Sequence, residues 1–220
     1  YPVVKYSQPG KCFWSKSYMD PYSYQPMVTC TVAMRTGNEF RGVATIDLRL
    51  EGLHDFMERI RQKTGGYVFL LDRNNKFLTF PQPEKVRLTG TDDKGKTTQE
   101  FIAAEELGKR EPLFFPIARA VEEMNQEILS KARAMPSFRA DLASKLTVDS
   151  DQISAEEATM IAAVIADPVG ADKKNTNLFR QLTIPDDFLI QEESLVFLFN
   201  VPHSYWKVVA VKPVREARAV

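Results

Sequence analysis

The chain has 220 residues, with 29 Lys and Arg against 29 Asp and Glu, a formal net charge of zero, and 44% hydrophobic residues. That length and apolar content suffice for a buried core in one large or two small domains, and exclude a disordered or fibrous chain. Without a basic excess there is no electrostatic case for a nucleic-acid partner, which needs clustered cations to displace counterions from phosphates.

No run of sequence approaches the roughly 18 uninterrupted apolar residues of a membrane span, and the chain opens on Tyr1-Pro2 with no Met or signal peptide, so it reads as a piece of something longer. Two cysteines, Cys12 and Cys30, are too few for a disulfide scaffold or a four-thiolate zinc site. In a simple hairpin around the Asp20–Pro26 turn the thiols sit about four positions out of register, too far to bridge without a bulge. The spacing leaves a single disulfide open.

In chain order, FWSKSYMDPY (Phe13–Tyr22) concentrates aromatic rings and an Asp-Pro pair before a turn at Pro21, Ser23 and Pro26. MVTCTVAMR reads as a strand from its β-branched residues and alternation, Gly37-Asn38 as a turn, and RGVATIDLRL as the returning strand. Asp47 stands in this otherwise apolar strand, where a carboxylate must face solvent, pair with a partner or meet a cation. Leu53, Phe56, Met57 and Ile60 recur at helical spacing and Thr64-Gly65-Gly66 ends that run. A hairpin follows in GYVFLLDRNNKFLTFP, with its turn at Asp72–Asn75.

The middle reads as helical. Thr97 with Glu100 predicts a capping box opening a helix over Phe101–Gly108, Pro116 begins one running to about Met135, and Ser154 with Glu157 caps another. Ile117, Val121, Met124 and Ile128 form a core stripe, leaving Glu122 and Glu123 on a solvated face. Strands return at Leu178–Ile184, SLVFLFNVP and WKVVAVKP, the second of these expected to be the most buried of its sheet because its apolar run continues on both faces.

The fold class expected is α+β, two tandem modules of antiparallel sheet with helices: residues 1–63, then residues 64–220 with a helical insertion at about 97–167 packed on or beside the second sheet. There is no GxSxG, glycine-rich phosphate loop, HExxH or CxxC, and the two histidines, His54 and His203, lie in different expected modules. No catalytic, metal or cofactor site is expected. The pairs Asp186-Asp187 and Glu192-Glu193 read as solvated turn residues.

The ordered series FWSKSYMD, MVTCTVAM, GNEFRGVATIDLRLEGLHDFMERI and TGGYVFLLDRNNKFLTFP resembles the double Cache (dCache) sensor family of bacterial transmembrane receptors, and the likeness resumes in outline at LVFLFNVPHSYWKVVAVKPV. The resemblance implies two stacked Cache/PAS-like modules outside the membrane, the family's long first helix missing here. It implies a periplasmic or extracellular setting, a membrane-anchored parent protein and a small-molecule ligand held by the first module. In amino-acid-binding members, a Tyr-x-Asp segment and an Asp ending a GVxGxD strand hold the ligand's ammonium group; here these are Tyr18, Asp20 and Asp47. Trp14, Tyr22 and Tyr1 complete the expected ligand set, Tyr1 because YPVV falls near the end of the family's Arg-x-Trp-Tyr segment. An amine or amino acid is the ligand class implied. The alternative is a Cache-like module that binds nothing small and instead dimerises or meets a periplasmic protein.

Overall fold

The alternation read between Met27 and Leu50 becomes a long hairpin in the computed structural model, which describes residues 3–7, 10–91, 93, 95–150, 152–167 and 178–217. Strands β1 (Phe13–Trp14), β2 (Tyr18–Met19), β3 (Pro26–Thr36) and β4 (Glu39–Arg49) form the first sheet. There β3 is central, with β1 and β2 on one edge and β4 on the other, all antiparallel. Trp14 lies opposite Cys30 and Tyr18 opposite Met27, so four steps along one strand match three along the other. This extra residue changes the cysteine register: Cys12 and Cys30 come within 5.5 Å (Cα to Cα) and form a disulfide.

Helix α1 (Leu50–Thr64) leaves the first sheet and ends at Gly65 in the left-handed region, φ 67°. A Cβ at the next residue, Gly66, would lie 1.9 Å from the Val211 carbonyl oxygen, so the chain passes here only without a side chain. Strands β5 (Tyr67–Leu71) and β6 (Phe77–Thr79) follow, then a short ladder of β7 (Arg87–Thr91) and β8 (Thr97–Phe101). This ladder replaces the expected capping box at Thr97. Thr97 and Thr98 suit an extended strand, and pairing with β7 prevails over the local helix signal, so α2 begins later, at Ala104–Arg110.

Helices α3 (Phe115–Ala134), α4 (Ala140–Asp149) and α5 (Ala155–Ala166) come next. The Ser154 side chain caps α5 by accepting the Glu157 N–H at 3.1 Å, as its sequence predicts. Strands β9 (Phe179–Ile184), β10 (Ser194–Val201) and β11 (Trp206–Pro213) complete a second antiparallel sheet, order β6-β5-β11-β10-β9, and α6 (Val214–Ala217) follows.

Two apolar clusters hold these layers. Phe69, Phe77, Phe80 and Phe114 interlock edge-to-face and tilted, under α3 residues Ile117, Val121 and Met124. A second cluster joins Phe13 and Ala33 of the first sheet to Leu142 and Leu146 of α4 and Ile161 of α5. Against the expectation, the helices beyond Thr97 therefore do not all pack on or beside the second sheet; α4 and α5 cover the first, whose apolar face would otherwise lack a partner. Nor is β10 buried on both faces: Val196 and Leu198 are buried while Phe199 is exposed, and the inner strand β5 is the more enclosed.

Candidate functional site

Phe13–Tyr22 does not present one face. Because of the extra residue between β1 and β2, Trp14 and Tyr18 point to opposite sides of the sheet. Trp14 packs on Trp206 of β11, ring centroids 5.2 Å apart, and so ties the two sheets together. The Tyr18 hydroxyl lies 2.6 Å from Thr29 Oγ1, which donates to Asp47 Oδ1 at 2.8 Å. An ionised carboxylate only accepts and a hydroxyl has one proton. Thr29 spends its proton on Asp47, so Tyr18 is the donor at the head of this relay.

Asp20 does not join them. Its Oδ2 accepts the Ser23 N–H at 2.6 Å and the Ser23 hydroxyl at 2.7 Å, and these bonds, the hydroxyl's first, hold its carboxyl below the ordinary range. The strand ends at Met19, and the turn takes the aspartate as its own acceptor. Tyr22 is 90% exposed at the tip of that turn. Tyr1 lies outside the described residues. Of the residues expected to converge, Tyr18 and Asp47 share a hydrogen-bonded chain, while Trp14, Asp20 and Tyr22 stand apart from it.

Beside Tyr18 opens a cavity of about 680 Å³ whose walls come from both halves of the molecule. Lys16–Met19 form one wall, the β5–β6 turn Arg73–Lys76 another, β8 and the start of α2 a third, and Glu122 and Asn125 of α3 with Ser154, Glu156 and Glu157 of α5 close the rest. A smaller cavity of about 180 Å³ adjoins it, sharing Lys16, Tyr18, Arg73 and Glu157, and is backed by Phe13, Thr29 and Ile161.

The turn Asp72–Asn75 is where sequence reasoning missed the site. Asp72 is fully buried, its Oδ1 accepting the N–H groups of Asn74 and Lys76 at 2.8 and 3.0 Å, and burial pushes its carboxyl up. Arg73 is 3% exposed; its guanidinium lies 4.8 Å from the Phe13 ring and donates to the Trp14 carbonyl, so a residue of the second half grips the first strand. Burial pulls its pKa down, while the fields of Glu157 and Asp72 oppose that. Behind the wall, the fully buried Lys207 donates to Asn125 Oδ1 at 2.9 Å, and desolvation lowers its pKa to about 8. One signal was visible: a lysine heading the apolar strand WKVVAVKP, on the core side with Val209 and Val211. Glu122, expected on a plain solvated face, is at the cavity wall, within 3.4 Å of the Asn75 amide nitrogen.

Among the described residues no group of three or more His, Cys, Asp or Glu is placed to hold a metal ion, and no helix is long and apolar enough to cross a membrane.

Residues 3–55 match the family model described as methyl-accepting chemotaxis protein-like, first PDC sensor domain. The segment that carries Tyr18, Thr29 and Asp47 is therefore similar to a sensor-domain sequence of chemoreceptor type. No curated protein matches the chain. Among solved structures, the extracellular domain of mmHK1S-Z2, described as a histidine kinase, aligns with a TM-score of 0.47 at 15% identity, over 94% of this chain and 52% of its own. The ligand-binding domain of the Pseudomonas fluorescens chemoreceptor CtaA with L-leucine gives 0.47 at 13% identity over 99% and 60%. The same receptor with L-valine gives 0.32 at 24% identity over 38% of each chain. The chain thus spans about half the length of the first of these structures.

Proposed function

We propose that the chain is the ligand-sensing part of a membrane-anchored signalling receptor, outside the cytoplasm, and that its ligand is a small polar molecule bound in the cavity beside Tyr18. One observation carries this: Lys16–Met19, inside the segment matched by the sensor-domain model, form a wall of a 680 Å³ cavity whose other walls belong to the second half. A ligand there touches both halves at once, and its differential affinity for two arrangements of them is what a receptor needs to shift a signalling equilibrium. The Cys12–Cys30 disulfide supports an oxidising setting. Tyr18 contacts the ligand in this reading, oriented by Thr29 and Asp47; catalysis, where the receptor has any, belongs to an output domain.

The test is thermal unfolding of the 220-residue chain against a library of small polar metabolites, followed by calorimetry on Tyr18→Phe and Asp47→Asn. A ligand at about 100 times its Kd adds about 2.7 kcal/mol of stability, several degrees in Tm. Tyr18→Phe should weaken that ligand about tenfold or more, and Asp47→Asn less. No stabilising ligand, or one indifferent to Tyr18→Phe, would contradict the reading.

A second reading rests on β4, where Phe40 and Ile46 are exposed, Ile46 at 73%: this strand could instead meet a second copy or a protein partner. Sedimentation at increasing concentration, wild type against Ile46→Lys, separates the two; a dimer lost on substitution supports the interface.

A further inference from the structure

The 680 Å³ cavity is lined by more acids than bases, and the fields of buried Arg73 on Glu157 and of Lys207 on Glu122 offset that excess only in part. Glu100, Glu105, Glu122, Glu156 and Glu157 line it against Lys16, Arg73 and Lys76. Of the cations, Lys16 donates to the Gln152 carbonyl at 2.9 Å and Arg73 is turned to the Trp14 carbonyl and the Phe13 ring. Of the acids only Glu105 has an ion-pair partner among the described residues, Lys109 at 2.6 Å.

Two buried side chains in the same walls have capacity to spare. Glu157 is 5% exposed and lines both cavities, yet its carboxylate takes no hydrogen bond from a described residue. Asn75 is 9% exposed, its Nδ2 faces Glu122, and its Oδ1 has no partner. Burying an acceptor or a carboxylate without a donor is costly, and an ammonium group with its three donors offsets that cost.

The acids also stand on separate elements: Glu122 on α3, Glu156 and Glu157 in the first turn of α5, Glu100 and Glu105 across β8 and α2. One ammonium at one wall leaves the others unneutralised. A ligand with a positive charge at each end answers more than one wall. Resting on the sensory reading of this same cavity, we propose that the ligand is an aliphatic diamine or polyamine, its ammonium groups received by Glu157 with Asn75 and by Glu122.

Calorimetry on the 220-residue chain with 1,4-diaminobutane, 1,5-diaminopentane, spermidine, butylamine, an L-amino-acid panel, succinate and calcium chloride tests this. At least one di- or polyamine should bind about tenfold or more tightly than butylamine, with affinity falling as salt rises. Succinate should not bind. Glu157→Gln should lose about tenfold or more. Glu122→Gln, at an exposed position that leaves folding intact, should also weaken diamine binding while affecting butylamine less. Equal binding of butylamine and the diamines, diamine binding unchanged in both variants, or calcium binding that displaces the diamine would overturn the proposal. Binding of amino acids alone, lost in Tyr18→Phe, would overturn the diamine and leave the sensory reading standing. Binding of nothing in the panel would overturn it too, while the metabolite library tests the sensory reading separately.

Discussion

The two sheets solve the same problem of covering an apolar face in different ways. In the second, β5 and β11 are enclosed, and Phe69, Phe77, Phe80 and Phe114 pack into a cluster with almost no access to water. In the first, β4 is exposed along most of its length and α4 and α5 cover only the stretch around Phe13 and Ala33. The first sheet thus keeps a polar end, with Tyr18, Thr29 and Asp47 in a chain, and the second sheet lends it a charged turn at Asp72–Asn75. The cavity lies where the open sheet meets the closed one. Rigidity comes from one and adaptable polar surface from the other, which is the division a sensor requires.

The largest test of this contrast is in the packing. Phe114→Ala, in the closed cluster, should cost about 3 to 5 kcal/mol, whereas Ile46→Ala on the open strand should cost less than about 0.5 kcal/mol, both by denaturant unfolding. Comparable costs would erase the distinction. Gly66→Ala should follow at about 2 kcal/mol or more, because its Cβ meets backbone at Val211 that cannot swing aside. An unchanged midpoint would show that the junction yields.

Lys207 sharpens the contrast by pH. Burial lowers its folded-state pKa to about 8 from 10.5, so between these values the unfolded chain holds the extra proton. Stability contributed by this residue therefore rises as pH climbs from about 8 toward 10, and is not gained below 8. Wild type should gain stability relative to Lys207→Gln over that interval. Parallel profiles would mean that the ammonium is better solvated than its surroundings indicate. Asp20→Ala is expected to cost about 1 kcal/mol or less by loss of its turn bonds and to leave ligand affinity unchanged. A large loss of affinity would return Asp20 to the binding site.

Much of the frame was legible because it follows side-chain period. The Met27–Leu50 hairpin, the helix closed by Gly65-Gly66 and the Ser154 cap are all local signals. The site was half legible. Tyr18 and Asp47 do meet through Thr29, but the strand's early end at Met19 leaves Asp20, grouped with them by the Tyr-x-Asp likeness, to the turn, and the extra residue between Trp14 and Tyr18 sets Trp14 on the other side. Register irregularities of that kind have no sequence mark here. Arg73 and Glu157 were read as turn and helix-cap residues, which they are. Their second role depends on two segments 84 positions apart converging, and no local pattern encodes that.

The most direct test of the central claim is a crystal structure of the chain with whichever small molecule most raises its Tm. The account predicts that molecule between Lys16–Met19 and the Ser154–Glu157 turn, in contact with Tyr18 and with at least one side chain of the Arg73–Lys76 turn. Density for it on the open face of β4, or wholly within the second half with Tyr18 untouched, would contradict the account.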